Sequence, residues 1–214
     1  MSEILNWLFS SSNQLGTEIV NNRLDWFISL GLGLSLAACC GFRIFLPFFV
    51  ASLAAKLGWY TPTGSFAWIG TNAALICFSV ASLIEFLGYM IPYIDHLLDV
   101  AAGPIAMFAG AIMSASLFGM GDFLNSAPTA KMVLGLLIGG GTAGAVQATT
   151  SLLRLGSTQL TGGLGNPLFA KAETLLALFI SLVSFWIPAF VGFIVLVLLI
   201  WMSCFLYKKF FKHV

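Results

Sequence analysis

Glu85, Asp95 and Asp99 fall inside VASLIEFLGYMIPYIDHLLDV (80–100), and a fourth carboxylate, Glu173, lies in LFAKAETLLALF (168–179). Arg43 sits in AACCGFRIFLP (37–47). Carboxylates in such apolar surroundings can relay protons or attract cations. An arginine there should have a partner or line water, and Arg43, with Gln147 and Asn166, could contact substrate or form a gate. A charge at the centre of a membrane helix costs about 2.5–3.5 kcal/mol on insertion scales, so each of these side chains is expected to face protein or water. Glu85 is the expected partner of Arg43, because the two lie in neighbouring apolar runs. A transport role and a structural ion pair that sets helix register fit that placement equally well.

Asp95 and Asp99 follow Pro92 in the loop region after the second apolar run and, four residues apart, share one face of a short helix. They can cap or solvate a helix start, or form a cation-attracting mouth. His96 between them completes Asp-His-x-x-Asp, a weak metal pattern, and His213 is the only other histidine. No metal or cofactor is expected. Gln147, Thr149, Thr150 and Ser151 make one end of an apolar run polar; they can line a path or bond their own helix carbonyls. In GGLGNP (162–167), Asn166 and Pro167 open a helix whose free N–H groups could cradle an anion, or simply form a well-capped turn. Arg43, Glu85, Asp95, Asp99, Gln147, Asn166 and Glu173 are therefore the candidate pathway residues.

The elements that carry them are set by composition. The chain has 214 residues, 59% hydrophobic and 8% charged, against about 25% charged for a soluble domain. Mean hydropathy is +1.00. A lipid bilayer is the expected solvent and partner. The net charge of +1 argues against nucleic acid. Cys39, Cys40, Cys77 and Cys204 lie in apolar runs without C-x-x-C spacing and read as buried reduced thiols. No H-E-x-x-H, G-x-S-x-G or P-loop pattern occurs, so no enzyme is expected. An aspartate-pair protease needs facing spans, whereas Asp95 and Asp99 share one segment.

Apolar runs long enough to cross a bilayer cover roughly 26–55, 68–91, 101–119, 132–153, 168–187 and 189–207. The first contains Gly41, Arg43 and Pro47 and is either broken there or one long tilted helix. The last two form one apolar stretch of about 40 residues, which would reach ~60 Å as a single helix. It must fold back at Trp186-Ile187-Pro188. With six spans, Arg23, Arg154, Lys171, Lys208, Lys209 and Lys212 share one side and Lys56 and Lys131 the other. That bias predicts both termini in the cytoplasm. Residues 1–24 read as a tail or an interfacial helix over 3–9, residues 25–207 as the membrane domain, and 208–214 as a basic tail.

Sliding IGTNAALICFSVASLIEFLGYMIPY (69–93) by 96 onto GNPLFAKAETLLALFISLVSFWIPA (165–189) pairs Pro92 with Pro188 and Tyr89 with Phe185. At another offset, GLGLSLAACCGFR (31–43) pairs with GLLIGGGTAGAVQ (135–147), and Arg43 with Gln147. Two three-helix halves, about 26–119 and 132–207, are odd-numbered and so must be inverted in the membrane, an architecture common among secondary transporters. The glycines of 135–145 stand at small-xxx-small spacing, suited to close helix packing.

The patterns GFRIFLPFFVASLAAKLGW (41–59), FAWIG (66–70), IPYIDHLLD (91–99) and GGLGNPLFAKAE (162–173) resemble the bacterial membrane-protein family catalogued as domain of unknown function 4126, over roughly residues 28–205. The resemblance implies a multi-pass fold in a bacterial inner membrane and no particular activity. The expectation is an all-α, six-span transporter or channel for a small solute or ion. Glu85, Asp95, Asp99 and Glu173 would form an acidic vestibule facing the cytoplasm. Its rival is a non-transporting scaffold or helper subunit packing through glycine faces. A homo-oligomer is compatible with either.

Overall fold

The computed structural model describes residue 25 and residues 27–62, 64–117, 128–162 and 165–211. The expected interfacial helix over 3–9 lies outside these residues. The described residues are all-helical, without strands. In chain order they form α1 (Phe27–Phe42), α2 (Leu46–Lys56), a 3-10 segment (Gly64–Gly70), α3 (Asn72–Gly88) and α4 (Pro92–Leu117). After these come α5 (Pro128–Leu134), a π-helical segment (Gly135–Gly140) that joins it to α6 (Gly141–Thr161), α7 (Asn166–Trp186) and α8 (Pro188–Phe211).

Local chemistry accounts for most boundaries. Pro92, Pro128 and Pro188 are first residues of helices, where the missing N–H costs nothing. Thr71 caps α3 by accepting from the Ala74 N–H at 3.1 Å. Gly162 ends α6 at φ +64°, a left-handed conformation that glycine adopts without strain. The apolar stretch that had to fold back does so at Ile187. The expected basic tail begins inside α8, which continues to Phe211.

Large apolar side chains cover the outside of the bundle, and its interior combines an apolar core, Leu36, Phe48 and Met113 among it, with buried polar and charged groups. On α7 the buried positions are Ala170, Glu173, Ala177, Ser181 and Ser184, at helical spacing, while Leu168, Leu175, Phe179 and Trp186 face outward. Two helices, Met132–Gln159 and Asn166–Trp186, are long and apolar enough to cross a membrane, yet only 33% and 28% of their most apolar windows are buried. A core helix of a soluble protein would show the opposite polarity. Cys39 and Cys40 are buried free thiols as expected, but Cys77 faces outward on α3. It belongs to the apolar outer surface rather than the core.

The run 26–55 is broken, and the break reverses the chain. Near its start, α1 meets the α7–α8 turn: a Cβ added to Gly31 would lie 2.5 Å from the Pro188 carbonyl oxygen. At its end, Arg43 reaches the first turns of α7 by donating to the Ala170 carbonyl. Beyond α2, the chain is back at the α7–α8 turn, where Trp59 and Tyr60 pack on Phe185 at 6.1 and 5.4 Å. The two arms thus run along the same length of α7 in opposite directions. They form a hairpin with its tip at Arg43–Phe45, so neither a single kinked span nor a long tilted helix describes the run.

Further contacts fix the other directions. Phe48 stacks on Phe78 at 5.0 Å and Ile44 bonds Glu85, so α2 and α3 are antiparallel. Ser114 of α4 donates to the Gly33 carbonyl and also packs against Gly139. Gly41 meets Ala143 and Val146, so α1 and α6 run parallel. Leu34 and Ala38 cluster with Val195 and Gly31 meets Gly192, so α1 and α8 also run parallel. Phe27 and Phe211 consequently lie at opposite ends of the bundle. This arrangement does not support the expectation that the termini share a side, because the hairpin adds a seventh traverse to the six that hydropathy counts.

The glycine runs are contact surfaces. Gly135 packs on Ala111 and Ala115, Gly139 on Gly110 and Ser114, and Gly140 and Gly144 on Met107. Consecutive glycines also leave the backbone free to widen into the π-helical turn. At the α1–α8 crossing, a Cβ on Gly192 would stand 2.5 Å from the Gly31 Cα, a backbone atom that cannot rotate away. Gly192→Ala is expected to lower stability by about 1–3 kcal/mol through overpacking. Gly156→Ala, with nothing within 4 Å of the new methyl, should leave the melting temperature in detergent unchanged or slightly raised.

Candidate functional site

The hairpin tip lies against the C-terminal end of α3, the second half of α6 and the start of α7. A helix start leaves backbone N–H groups without intrahelical partners, and at the tip no side chain of α2 itself caps them. Glu85 does so from α3: its two carboxylate oxygens accept from the Ile44 N–H at 2.8 Å and the Phe45 N–H at 3.1 Å. The carboxylate also sits at the positive end of the α2 dipole. Glu85 is buried, so these bonds replace its hydration.

Arg43 leaves the same tip and is 2% exposed. Its Nη2 donates to the Ala170 carbonyl at 2.7 Å, and its guanidinium carbon lies 4.0 Å from the centroid of the Tyr89 ring. A second guanidinium, that of Arg154, lies over the same ring at 4.4 Å. Cation–π attraction over a ring face partly offsets what burial takes from each cation. Arg154 pairs with Glu173 in a two-pronged contact, Nε to Oε1 at 3.3 Å and Nη2 to Oε2. Both partners are buried. The cluster thus holds two arginines and two glutamates and is formally neutral. Burial strengthens each attraction inside it, and would make any unpaired member costly.

Three candidates from the sequence meet here: Arg43, Glu85 and Glu173. The expected Arg43–Glu85 ion pair does not form; Glu85 acts on Arg43 only as a nearby counter-charge, because its oxygens are spent on the hairpin backbone. Glu173 does not line an open mouth either, because Arg154 takes it. Gln147 is buried on α6 and makes its described bond within that helix, to Ser151 Oγ at 3.4 Å. Thr149 and Thr150 bond the Ala145 and Gln147 carbonyls, the self-bonding alternative. Asn166 ties the start of α7 to α6 through Thr158 at 3.0 Å, and the Gly165 N–H is taken by Thr161, so the turn is built as a clasp. Asp95 and Asp99 lie in the first two turns of α4; their side chains fall outside the described residues.

Arg154 and Tyr89 are the residues that sequence reasoning missed. Hydropathy ends the fourth apolar run at 153 and so places Arg154 among the loop charges. The signal was present: SLLRLGSTQL continues the helix without proline, and Arg154 follows Gln147 by seven residues, which puts both on one face. Beside the cluster, a cavity of about 510 Å³ opens between α3 and α4, lined by Ile84, Leu98, Ala101 and Ile105 together with Glu85 and Tyr89.

A helical bundle with large apolar side chains outside and a neutralised ionic cluster inside belongs to the class of membrane-type helical proteins. The chain belongs to the family described as domain of unknown function (DUF4126), whose sequence pattern matches residues 30–209. No curated protein and no solved structure matches it.

Proposed function

We propose that the protein is a multi-pass transporter or channel for a small solute or ion, with the ionic cluster at the hairpin tip as its substrate site or gate. One observation carries the reading: irregular backbone and four ionisable side chains meet in the interior, where Arg43 keeps unused donors. Non-helical backbone at membrane depth is tolerated where protein buries it or water reaches it, and it recurs at transporter binding sites.

An inverted repeat fits with altered bounds. One offset near 96 relates α2, α3 and α4 to α6, α7 and α8, whose starts are Leu46 and Gly141, Asn72 and Asn166, Pro92 and Pro188. By the contacts above, each pair is antiparallel, as inversion demands. Helix α1 then stands outside the repeat, which revises the earlier halves that began at residue 26. Lys171, Lys208 and Lys209 lie toward the end where α8 finishes, and Lys56 and Lys131 toward the other. The positive-inside bias favours the α8 end in the cytoplasm of a plasma membrane. Of the acidic vestibule, Asp95 and Asp99 are the members left to form a rim, since Glu85 and Glu173 are engaged.

The test is reconstitution into liposomes with a panel of inorganic ions and small neutral solutes. Wild-type protein should pass at least one of them faster than protein-free vesicles, and Arg43→Ala should slow it by about tenfold, the effect of about 1.4 kcal/mol at a binding step. The scaffold reading is favoured by the burial of the cluster and the tight Gly31–Gly192 crossing. Wild-type vesicles as tight as empty ones to the whole panel would leave that reading standing and end the transport one.

A further inference from the structure

The seam between the α1–α2 hairpin and α7 carries polar atoms that the cluster leaves unused. Arg43 Nε and Nη1 have no hydrogen-bond partner among the described residues, although the side chain is buried. Farther along α7, Ser181 Oγ has no partner of ordinary geometry, only the weak thiol of Cys39 beside it. At the far end, the Tyr60 hydroxyl, next to Phe185, is unpartnered too. Ser181 is fully buried and Tyr60 is 5% exposed. From Ala170, which Arg43 bonds, to Phe185 the seam runs ~22 Å along α7, most of a hydrocarbon layer. Between them α7 presents Ala177, a small buried residue.

The groups without partners among the described residues can all donate, and one of them, Arg43, is a cation. The Glu85 oxygens are spent on backbone N–H groups, and those of Glu173 on Arg154. What remains along the seam is one guanidinium and two hydroxyls, all able to donate. A buried donor without an acceptor is costly, and natural proteins retain such groups where something else binds them. Asp95 and Asp99 belong to α4, not to the elements that form the seam.

We propose that this seam is the permeation path and that it selects small anions, which Arg43 binds and the Ser181 and Tyr60 hydroxyls hand on. The inference rests on the transport reading and adds the sign of the cargo and its route. It is tested with the full chain in liposomes by replacing the anion (chloride, nitrate, acetate) and the cation (sodium, potassium) separately, with glycerol as the neutral solute. Flux should follow the anion. Arg43→Gln should slow it about tenfold, as loss of one charge-assisted hydrogen bond would, and Arg43→Lys should recover part of the loss by keeping the charge. Ser181→Ala removes a hydroxyl with no strong partner to lose, so it should fold normally and still slow anion flux; this variant keeps the test alive should Arg43→Gln fail to fold. Flux that follows the cation, or of glycerol alone, overturns the anion assignment while transport stands. Anion flux untouched by Ser181→Ala and Arg43→Gln overturns the route. No flux of any probe removes the transport reading itself.

Discussion

Glu173→Ala is expected to lower stability by about 3–5 kcal/mol, the cost of leaving a buried ion-pair partner uncompensated. Arg154 is 3% exposed, and its two prongs to Glu173 cannot be replaced by water at that depth. Arg154 also lies over the Tyr89 ring, which Arg43 shares, so loss of the carboxylate removes one of the two glutamates of the cluster and leaves both cations in place. The measurement is thermal unfolding of purified protein in detergent, with the wild type alongside. The double variant Arg154→Met, Glu173→Leu should recover most of the loss, because replacing a buried pair by apolar groups of similar size is often neutral. A single variant as stable as wild type would mean that solvent reaches the pair and that the cluster is not sealed.

Glu85→Ala has the next largest expected effect. It strips both acceptors from the Ile44 and Phe45 N–H groups, each worth about 1–3 kcal/mol when left buried and unpaired. The damage should be local before it is global. The tip is where α1 turns back into α2, so amide hydrogen exchange should quicken first over 43–49. Glu85→Gln retains one acceptor oxygen but points an NH2 group at the other backbone N–H, so it should lose about half as much. This separates a structural cap from a proton carrier. A carrier replaced by glutamine would lose pH-dependent transport with little change in exchange at the tip. A cap replaced by glutamine loosens the tip whatever the pH.

Much of the architecture was legible in the residues. The fold-back at Ile187, the break near Arg43, the helix start at Pro188 and the glycine packing faces each follow from local chemistry: a proline without an N–H, or a glycine without a Cβ. Hydropathy alone starts the third span at 101 and leaves Asp95 and Asp99 in a loop region, whereas α4 runs unbroken from Pro92 to Leu117. Hydropathy located the apolar runs, and GFRIFLP and GGLGNP carried the family. The break was foreseen, whereas its sense was not. A kink and a reversal need the same Gly, Arg and Pro, and differ only in what the arms pack against.

The cluster shows the same division. Burial of Arg43, Glu85 and Glu173 followed from the cost of charge in apolar surroundings, which any sequence containing them must meet. Partnership did not follow. Arg43 bonds a carbonyl 127 positions away, and the oxygens of Glu85 go to backbone N–H groups about 40 positions away, which carry no side-chain signature at all. The amino-acid sequence by itself determined that the chain is helical, apolar outside and obliged to shelter a few charges. The tertiary structure alone decided which charges meet and which way α2 runs. Local propensity acts within a turn or two of helix, whereas a buried ion answers to whatever atoms the packed bundle brings within a few ångströms.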